Sequence, residues 1–255
     1  MNYYNEIDPY CAAWLQNLMD AGHIAKGVID TRSIEDVTPA ELVGYTQCHF
    51  FAGLGGWAYA LDLAGWPRDR PVWTGSCPCQ PFSAAGKGNG FADERHLWPA
   101  WQHLIAQCRP AVVFGEQVAN AAAWLRTVVS DLEGVGYAVG HMPIEAASAG
   151  GADIRDRIWI VADCIKDRFD WSRIPQKQWE GISGASRRFD GFPWPYLPMP
   201  ANAANFRSVL LLPDGSPDEL ASIAAYGNAI NARAAQAFIE SYCEARELIK
   251  MEQAA

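Results

Sequence analysis

The sequence predicts an α/β fold in which helices cover both faces of a mostly parallel sheet. Three observations support this class. Short apolar segments, typical of buried strands, alternate with amphipathic segments of helical length. Several of these pairs are joined by glycine-containing loops. The chain has 255 residues, of which 50% are hydrophobic and 19% charged, so it can bury the core of one large domain, with or without a small appendage.

The alternation begins near the first residue. Asp8 and Pro9 suit the start of a helix, and Gly22 suits its end. After this helix we predict a short strand with a turn, a buried apolar strand, a tight glycine loop and a second helix. These four elements are predicted over residues 27–37, 48–51, 53–56 and 57–64.

The same order of strand and helix continues in the middle of the chain. We predict strands over 71–77, 110–118, 137–146 and 156–163, with helices over 96–108 and 121–136. Residues 164–222 break the pattern, because they are rich in proline, glycine and aromatic residues and show no sustained period. A loop and one long helix close the chain.

Composition limits where the protein works and what it binds. The formal net charge of −9 argues against a surface that is basic throughout, although a local basic cleft can still bind phosphates. No apolar run approaches the roughly 20 residues of a membrane span, and the first residues lack the features of a signal peptide. The seven cysteines are odd in number and scattered, which indicates reduced thiols in a cytoplasmic protein.

The segment FAGLGG, residues 51–56, lies between a predicted strand and a predicted helix. In that position backbone amides and a helix N-terminus can approach a nucleotide-like ligand, although a simple tight turn would look the same. The spacing is not G-x-G-x-x-G, which disfavours a nicotinamide-dependent oxidoreductase. The acidic residue that normally ends the next strand and holds a ribose is also missing after this loop.

The stretch TGSCPCQPFSAAGKG, residues 74–88, places two cysteines in a loop after a predicted strand. Such a loop lies at the carboxyl edge of the sheet, where these folds bind ligands, so Cys79 could be a nucleophile. Zinc would need four ligands in recognisable pairs, and the sequence has no second close pair of Cys or His. A disulfide between Cys77 and Cys79 has poor geometry, and Cys77 is equally well explained as an inert buried thiol.

Three charged residues are predicted to gather near Cys79. Glu116 ends a predicted strand at the same edge of the sheet. Arg155 and Arg157 alternate along an extended segment, so both would project to one side. Each of these residues alone could be an ordinary surface or salt-bridged group. Their combination with a thiol favours a reactive site.

At this point the chain resembles the DNA cytosine-5 methyltransferase family. The Pro-Cys-Gln-Pro-Phe-Ser run and a later Gly-Asn motif occur in the family's order, which makes the resemblance specific. It covers most of residues 1–162 and 222–240. The similar segments are FAGLGGWAYALDLAGW (51–66), SCPCQPFSAAGKG (76–88), GFADERHLWPAW (90–101), FGEQVAN (114–120), ADIRDRIWIVA (152–162) and YGNAINARAAQAFI (226–239).

Two further segments resemble motifs of this family but stand in an unusual place. NEIDPYCAAWLQNL (5–18) resembles the ribose-binding motif, and GVIDTRSIEDV (27–37) resembles the motif near the adenine. In the usual family order both follow the glycine-loop motif, whereas here both precede it. We therefore expect a rearranged order of ribose strand, adenine strand, glycine-loop strand and catalytic strand, within an unchanged sheet.

The chain departs from the family pattern at single positions as well. His49 stands where the family has an acidic residue, Gln117 replaces Asn, and Asp153 replaces Gln ahead of the arginine pair. The adenine-contacting Asp has no clear match, because Ser33 falls at its position with Asp30 and Asp36 nearby. The nucleophile, the acid and both arginines are retained, so we expect activity.

The resemblance implies a Rossmann-like S-adenosylmethionine-dependent methyltransferase fold and methyl transfer to C5 of a flipped-out cytosine. Cys79 would attack C6, and Glu116 would hydrogen-bond the base. Arg155 and Arg157 would hold the base and a phosphate, or support Glu116. S-adenosylmethionine is the implied donor. Its expected contacts are Glu6, Ile7, Ser33, Ile34, Phe51, Ala52, Gly53, Leu54, Gly55, Gly56, Pro78 and Asn228.

The implied partner is double-stranded DNA, bound by a monomer that needs no metal and no membrane, in a bacterial or phage-infected cell. We expect a catalytic domain over 1–163, a small irregular target-recognition region over 164–221, and a return to the catalytic domain over 222–255. The alternative for the middle region is a solvated, loosely folded insert. The expected DNA contacts are Gln80, Ser83, Lys87, Arg95, Arg173, Arg187 and Arg188.

Two other functions stay open at this point. The same thiol chemistry could transfer a different group to C5, because the adenine contacts are altered. A DNA-binding relic could flip or mask cytosines without turnover. Such a relic would show a lost nucleophile or a lost acid, and neither is lost in this sequence.

Overall fold

The structure is a computed structural model that describes residues 1–78, 97–119, 121–145, 156–164 and 229–254. Within these residues seven strands form one sheet and five α-helices pack against it. The strands are β1 (Asn2–Asn5), β2 (Gly27–Asp30), β3 (Gln47–Phe50), β4 (Val72–Gly75), β5 (Val112–Val118), β6 (Ala138–Glu145) and β7 (Asp156–Asp163). The helices are α1 (Pro9–Asp20), α2 (Gly56–Leu63), α3 (Trp98–Cys108), α4 (Ala122–Gly134) and α5 (Ala232–Ala254).

The predicted start and end of the first helix are confirmed. The Asp8 side chain accepts a hydrogen bond from the Cys11 amide at 2.9 Å, which caps α1, and Pro9 is the first helical residue. Gly22 lies just beyond the helix with a φ of 77°, in the left-handed region that favours glycine. Two short 3-10 helices, Ile34–Asp36 and Pro39–Leu42, follow β2.

The sheet is mostly parallel, as predicted. Its strand order is β2-β1-β3-β4-β5-β7-β6. Neighbours from β2 to β5 pair in parallel, and β7 pairs antiparallel with both β5 and β6. This is a Rossmann-like arrangement with an antiparallel edge. Although β3 follows β2 in the chain, β1 lies between them in the sheet.

Helices cover both faces of this sheet. Along β5, Val113 packs into a cluster that includes residues of α3 and α4, among them Trp101. Val112 and Phe114 point the other way, into a cluster formed with α2 and α5. This alternation is the period of a strand buried on both sides. No helix among the described residues is long and apolar enough to cross a membrane.

Helix α5 packs against α2 and β7. Gln236 donates to the Leu63 carbonyl at 3.3 Å. Tyr242 donates its hydroxyl to Asp163 at 2.6 Å, and Arg246 pairs with the same carboxylate at 3.2 Å. The last described part of the chain is therefore anchored to the same sheet as the first. Residues 165–221, almost all of the expected target-recognition region, lie outside the described residues.

The parallel register aligns the ends of β1, β3 and β4 with Gly115, which lies within β5. Asn5 pairs with Phe50, Phe50 with Gly75, and Gly75 with Gly115. The next residue of each strand therefore lies along one edge of the parallel part of the sheet. These next residues are Glu6, Phe51, Ser76 and Glu116.

Candidate functional site

The glycine loop is tied to the end of β1 by hydrogen bonds. The Ala52 amide donates to the Asn5 carbonyl at 3.0 Å, and the Gly53 amide donates to Oε2 of Glu6 at 2.6 Å. The φ angles are 53° at Gly53 and 78° at Gly55, which glycine adopts at little cost. The loop and the residue predicted to hold the ribose thus meet, although 47 positions separate Gly53 from Glu6.

The Glu6 carboxylate accepts a second backbone hydrogen bond, from the Asp8 amide at 2.8 Å. Burial raises the pKa of Glu6, and the two backbone donors oppose that shift. A carboxylate has about four lone-pair directions, so positions remain for hydroxyl donors such as those of a ribose. Ile7, the next residue, is 66% exposed and adds apolar surface beside this carboxylate.

Because Gly55 and Gly56 have no side chain, the start of α2 packs closely against neighbouring side chains. A Cβ atom at Gly55 would lie 3.1 Å from Cδ2 of Leu15, and one at Gly56 would lie 2.6 Å from Cγ1 of Ile230. Leu54 is buried in the cluster formed with α1. The end of the loop is therefore packed from beneath and held in one position.

Gly53 lies in a more open place. Within 4 Å, a Cβ atom there would meet only the Phe51 carbonyl oxygen among the described residues, at 3.9 Å. Phe51 itself is half-buried with a φ of 51°. Its ring meets Trp101 edge to face, with ring centroids 6.1 Å apart. An aromatic ring, an open glycine and a carboxylate thus surround one end of the loop.

The turn after β2 holds the residues expected near the adenine. Asp30 is engaged by Nη2 of Arg32 at 2.7 Å, and hydrogen bonding from Arg32 lowers the pKa of Asp30 to about 2. Ser33 accepts from the Glu35 amide at 3.4 Å and so caps the first 3-10 helix. Ile34 is buried beneath this turn.

Three described residues lead from β4 towards the predicted nucleophile. Ser76 is half-buried, Cys77 is buried and Pro78 is exposed. Burial raises the pKa of the Cys77 thiol, which fits an inert structural role. None of the six described cysteines forms a disulfide.

The acid and one arginine of the predicted site lie in contact. Nε of Arg157 is 2.6 Å from Oε1 of Glu116, and the two side chains are 19% and 8% exposed. The register of β5 and β7 places Glu116 opposite Trp159 and Arg157 opposite Val118. The two charged residues are thus diagonal neighbours on one face of the sheet, and the site contains a buried, charge-assisted hydrogen bond.

Two contacts near this pair were missed by sequence reasoning. Nε1 of Trp57 donates to Oγ of Ser76 at 3.1 Å. Nε2 of Gln117 donates to the Cys77 carbonyl at 3.4 Å. No local pattern signals either contact, because each joins side chains from strands or helices that are distant in the chain.

His49 also has a specific environment. It is 1% exposed, its Nδ1 lies 2.8 Å from Oγ1 of Thr74, and its ring stacks on Tyr4 at 4.9 Å. Burial lowers the pKa of His49 to about 3. A neutral imidazole therefore fills the position where the resemblance led us to expect an acid.

The remaining predicted site residues lie outside the described residues, and among the described ones no group of three or more His, Cys, Asp or Glu side chains could hold a metal. The predicted residues outside the description are Cys79, Arg155 and Asn228, together with Gln80, Ser83, Lys87, Arg95, Arg173, Arg187 and Arg188.

Comparison with known proteins finds similarity to DNA methyltransferases in the part of the chain that includes this edge of the sheet. The family model for C-5 cytosine-specific DNA methylases matches residues 66–189. Type II methyltransferase M.AluI of Cellulosimicrobium cellulans is 31% identical over 132 residues, which are 46% of this chain and 25% of that protein. Type II methyltransferase M.HaeII of Haemophilus aegyptius is 29% identical over 135 residues, 51% of this chain and 42% of that protein.

The chain spans 25% and 42% of the lengths of these two relatives. A solved structure of the Entamoeba histolytica methyltransferase EhMeth aligns with 64% of this chain and 44% of that chain, at 11% identity and a TM-score of 0.45. The family match at residues 66–189 includes β4, α3 and β5, and therefore Glu116 and the segment leading to Cys79.

Proposed function

We propose that the chain belongs to the C-5 cytosine-specific DNA methylase family, whose model matches residues 66–189, and that it transfers a methyl group from S-adenosylmethionine to C5 of cytosine in double-stranded DNA. The observation that carries this proposal is the buried contact between Glu116 and Arg157 beside the strand that leads to Cys79. This contact joins two of the charged residues that the proposed reaction requires.

The residues around the glycine loop fit a bound S-adenosylmethionine. Glu6 has unused acceptor positions for ribose hydroxyls, and Gly53 leaves room above the loop. Phe51 offers a ring for the adenine and Ile7 an exposed apolar side chain. When bound, S-adenosylmethionine supplies a methyl group on a sulfonium centre, which is electrophilic.

The order of strands supports a rearranged order of motifs. The proposed ribose strand β1 lies between the proposed adenine strand β2 and the glycine-loop strand β3, and β4 follows on the other side of β3. The ribose and glycine-loop motifs therefore lie side by side although their order in the chain is inverted. A sheet depends on which strands are neighbours in space, and not on the order in which the chain supplies them.

The proposed reaction uses a covalent bond to the base. The Cys79 thiolate forms a bond to C6, and the electron pair of the C5–C6 double bond becomes available at C5. C5 then takes the methyl group as the bond between that methyl group and the donor's sulfur breaks, and the electron pair of the broken bond stays on the sulfur. Transfer of the C5 proton to a base such as water restores the double bond as the bond between the Cys79 sulfur and C6 breaks and the thiolate leaves. Atoms and charge balance without a metal.

Glu116 stabilises the charge that this addition places on the ring. Its carboxyl would hydrogen-bond N3 and the exocyclic amine of the cytosine, and Arg157 orients it through the 2.6 Å contact. Arg155 would hold the base oxygen or a phosphate. Such preorganised groups need no rearrangement when charge develops, which is why they accelerate the addition.

The cytosine must leave the duplex to reach this edge, at a cost of a few kcal/mol. We propose that residues 164–221 form the target-recognition region and that 1–163 and 222–255 form the catalytic domain. The proposed DNA contacts outside the nucleophile loop are Arg173, Arg187 and Arg188, as positive charges for backbone phosphates. The names of the relatives favour a role in restriction and modification. We also propose that the protein acts in the cytoplasm and as a monomer.

Bisulfite sequencing of DNA from a methylation-deficient bacterial host that expresses the full chain tests the proposal. The expected result is a set of conversion-resistant cytosines in one sequence context, absent when a Cys79→Ser variant is expressed at the same level. Complete conversion in both cultures, with soluble protein in each, would overturn the proposal. Mass spectrometry of the nucleosides distinguishes a methyl group from any other group on C5.

A further inference from the structure

We propose that Trp57 and Ser76 are positioning residues, which hold the nucleophile's loop in place relative to the donor-binding loop through one hydrogen bond. The inference rests on the proposed function, because it assigns the glycine loop to the donor and Cys79 to the base. Nε1 of Trp57 lies 3.1 Å from Oγ of Ser76. This contact directly joins the beginning of α2 to the end of β4.

Both partners are close in sequence to the groups they would align. Trp57 is the second residue of α2, which starts where the glycine loop ends. Ser76 follows directly after β4, three positions before Cys79. Few rotatable bonds separate this hydrogen bond from either loop. A small shift of Ser76 relative to Trp57 should therefore displace Cys79 relative to the bound donor.

The indole of Trp57 is rigidly held. It is 4% exposed, it stacks on Phe114 with ring centroids 6.0 Å apart, and it meets Trp159 edge to face at 5.4 Å. Phe114 and Trp159 belong to β5 and β7, so the sheet sets the direction of the indole N–H. A fixed donor on a packed ring constrains its acceptor much more than a mobile surface side chain does.

Gln117 holds the same segment from the other side. Its Oε1 accepts the Val118 amide at 3.0 Å, and its Nε2 donates to the Cys77 carbonyl at 3.4 Å. The first of these bonds orients the amide group, so Nε2 faces Cys77. Consecutive residues, Ser76 and Cys77, are therefore anchored to α2 and to β5, and the loop towards Cys79 starts from a fixed base.

Loss of this hydrogen bond should disturb the alignment of the reacting atoms and leave the binding of the donor and of DNA largely unchanged. Methyl transfer requires the sulfur of Cys79, the base and the methyl group to align, and misplacement by about 1 Å can cost about 10²-fold in rate. Loss of the contact between Trp57 and Ser76 should therefore lower kcat more than it changes donor affinity or KM for DNA. We expect a decrease in kcat of about tenfold.

The test compares Trp57→Phe, Ser76→Ala and the double variant in the full chain. The expected result is a similar loss of kcat in all three, because a single contact is removed in each, with the dissociation constant of S-adenosylmethionine unchanged within about twofold. Ser76→Thr keeps a hydroxyl and should restore most of the rate. Trp66→Phe is the matched control: Trp66 is 3% exposed and its Nε1 donates to the Arg70 carbonyl at 3.1 Å. Among the described residues its ring contacts are with Phe114, Tyr242 and Arg70.

A second measurement does not depend on methyl transfer. Iodoacetamide alkylation of Cys79 is followed by tandem mass spectrometry, with the half-buried Cys108 as internal reference. The ratio of the two rates should change by about threefold or more in Trp57→Phe and Ser76→Ala, and stay constant in Trp66→Phe. If Trp57→Phe fails to fold, Ser76→Ala alone decides the test.

The possible failures are distinguishable. Wild-type kcat together with a wild-type alkylation ratio in Trp57→Phe and Ser76→Ala would overturn the inference. A loss of kcat that Trp66→Phe reproduces would show a general loss of stability and would overturn it too. A wild-type chain without methyl transfer contradicts the proposed function, and the alkylation ratio still decides whether Trp57 and Ser76 position Cys79.

Discussion

Arg157 contacts Glu116 across the antiparallel pair of β5 and β7, with 2.6 Å between Nε and Oε1. Both side chains are largely buried, where an opposite charge at this distance favours the ionised form of each. The contact arises because β7 pairs with β5 and not with β4. The carboxylate is thereby held beside the strand end from which the nucleophile's loop departs.

Replacement of Glu116 by Gln should strongly reduce methyl transfer. The amide has almost the shape of the carboxyl group but has no acidic proton to donate to N3, so it stabilises the negative charge that thiolate addition places on the cytosine ring much less well. We expect kcat to fall by about 10²- to 10³-fold. Transfer of tritiated methyl groups to DNA measures this change. Glu133→Gln, at an exposed position of α4, is the matched control and should retain wild-type activity.

Replacement of Glu6 by Gln should weaken donor binding. A hydrogen bond to a charged group contributes about 1.5–3 kcal/mol, so we expect affinity for S-adenosylmethionine to fall by about 10- to 100-fold. The Gln side chain keeps an oxygen for the Gly53 amide, which now donates to Glu6 at 2.6 Å, but its NH2 group replaces the acceptor of the Asp8 amide, so thermal unfolding of the variant accompanies the titration. Isothermal titration calorimetry gives the affinity. An unchanged dissociation constant would argue against a ribose at Glu6.

His49 should make the fold less stable in acid. Burial lowers its pKa from 6.5 to about 3, so below about pH 6.5 the unfolded chain takes up a proton that the folded chain rejects. The free energy of unfolding should therefore fall as pH drops through this range, by up to about 1.4 kcal/mol per pH unit from this group.

Urea unfolding at about pH 7 and about pH 5 measures this dependence on His49. His49→Gln has no such titration, so the difference in stability between wild type and variant should shrink at the lower pH. His23→Gln, at an exposed position, should show the wild-type dependence. Parallel pH profiles of wild type and His49→Gln would contradict the assignment of a neutral buried imidazole.

Gly75→Ala should destabilise the protein through steric overlap. A Cβ atom at this position would lie 2.6 Å from Cζ2 of Trp101, a buried ring packed against Trp98 and Phe50. Overpacking of this kind costs about 1–3 kcal/mol. Thermal and urea unfolding give the change. Gly134→Ala is the control, because no neighbour in the described part of the chain lies within 4 Å of a Cβ atom there, and its stability should stay within about 0.5 kcal/mol of wild type.

Most of the fold could be predicted from the sequence, because strands and helices carry local signals. The Asp8 and Pro9 start of α1, the apolar strands and the glycine loop follow from periodicity, capping and backbone preference, and each was found near its predicted place. The resemblance also named Glu6 and Glu116 as site residues. Their side chains are now placed, whereas their roles stay predictions.

The contacts of the site had no local signal. Nothing in the sequence shows that Gly53 meets Glu6, or that Trp57 meets Ser76, because the partners belong to different strands and helices. The engagement of Asp30 by Arg32 was also missed, although the two residues are only two positions apart. The first two pairings depend on which strands are neighbours and on their register, whereas the pairing of Asp30 with Arg32 is local.

The sequence by itself predicted the elements and the candidate residues, and the resemblance added an inverted order of the motifs, which stays a prediction. The tertiary structure decided that β1 lies between β2 and β3, and that the ends of β1, β3 and β4 align with Gly115 of β5. The physical reason is the range of the interactions. Helix periods, caps and turns depend on neighbours within a few residues, whereas strand order and register depend on how distant apolar faces are buried together.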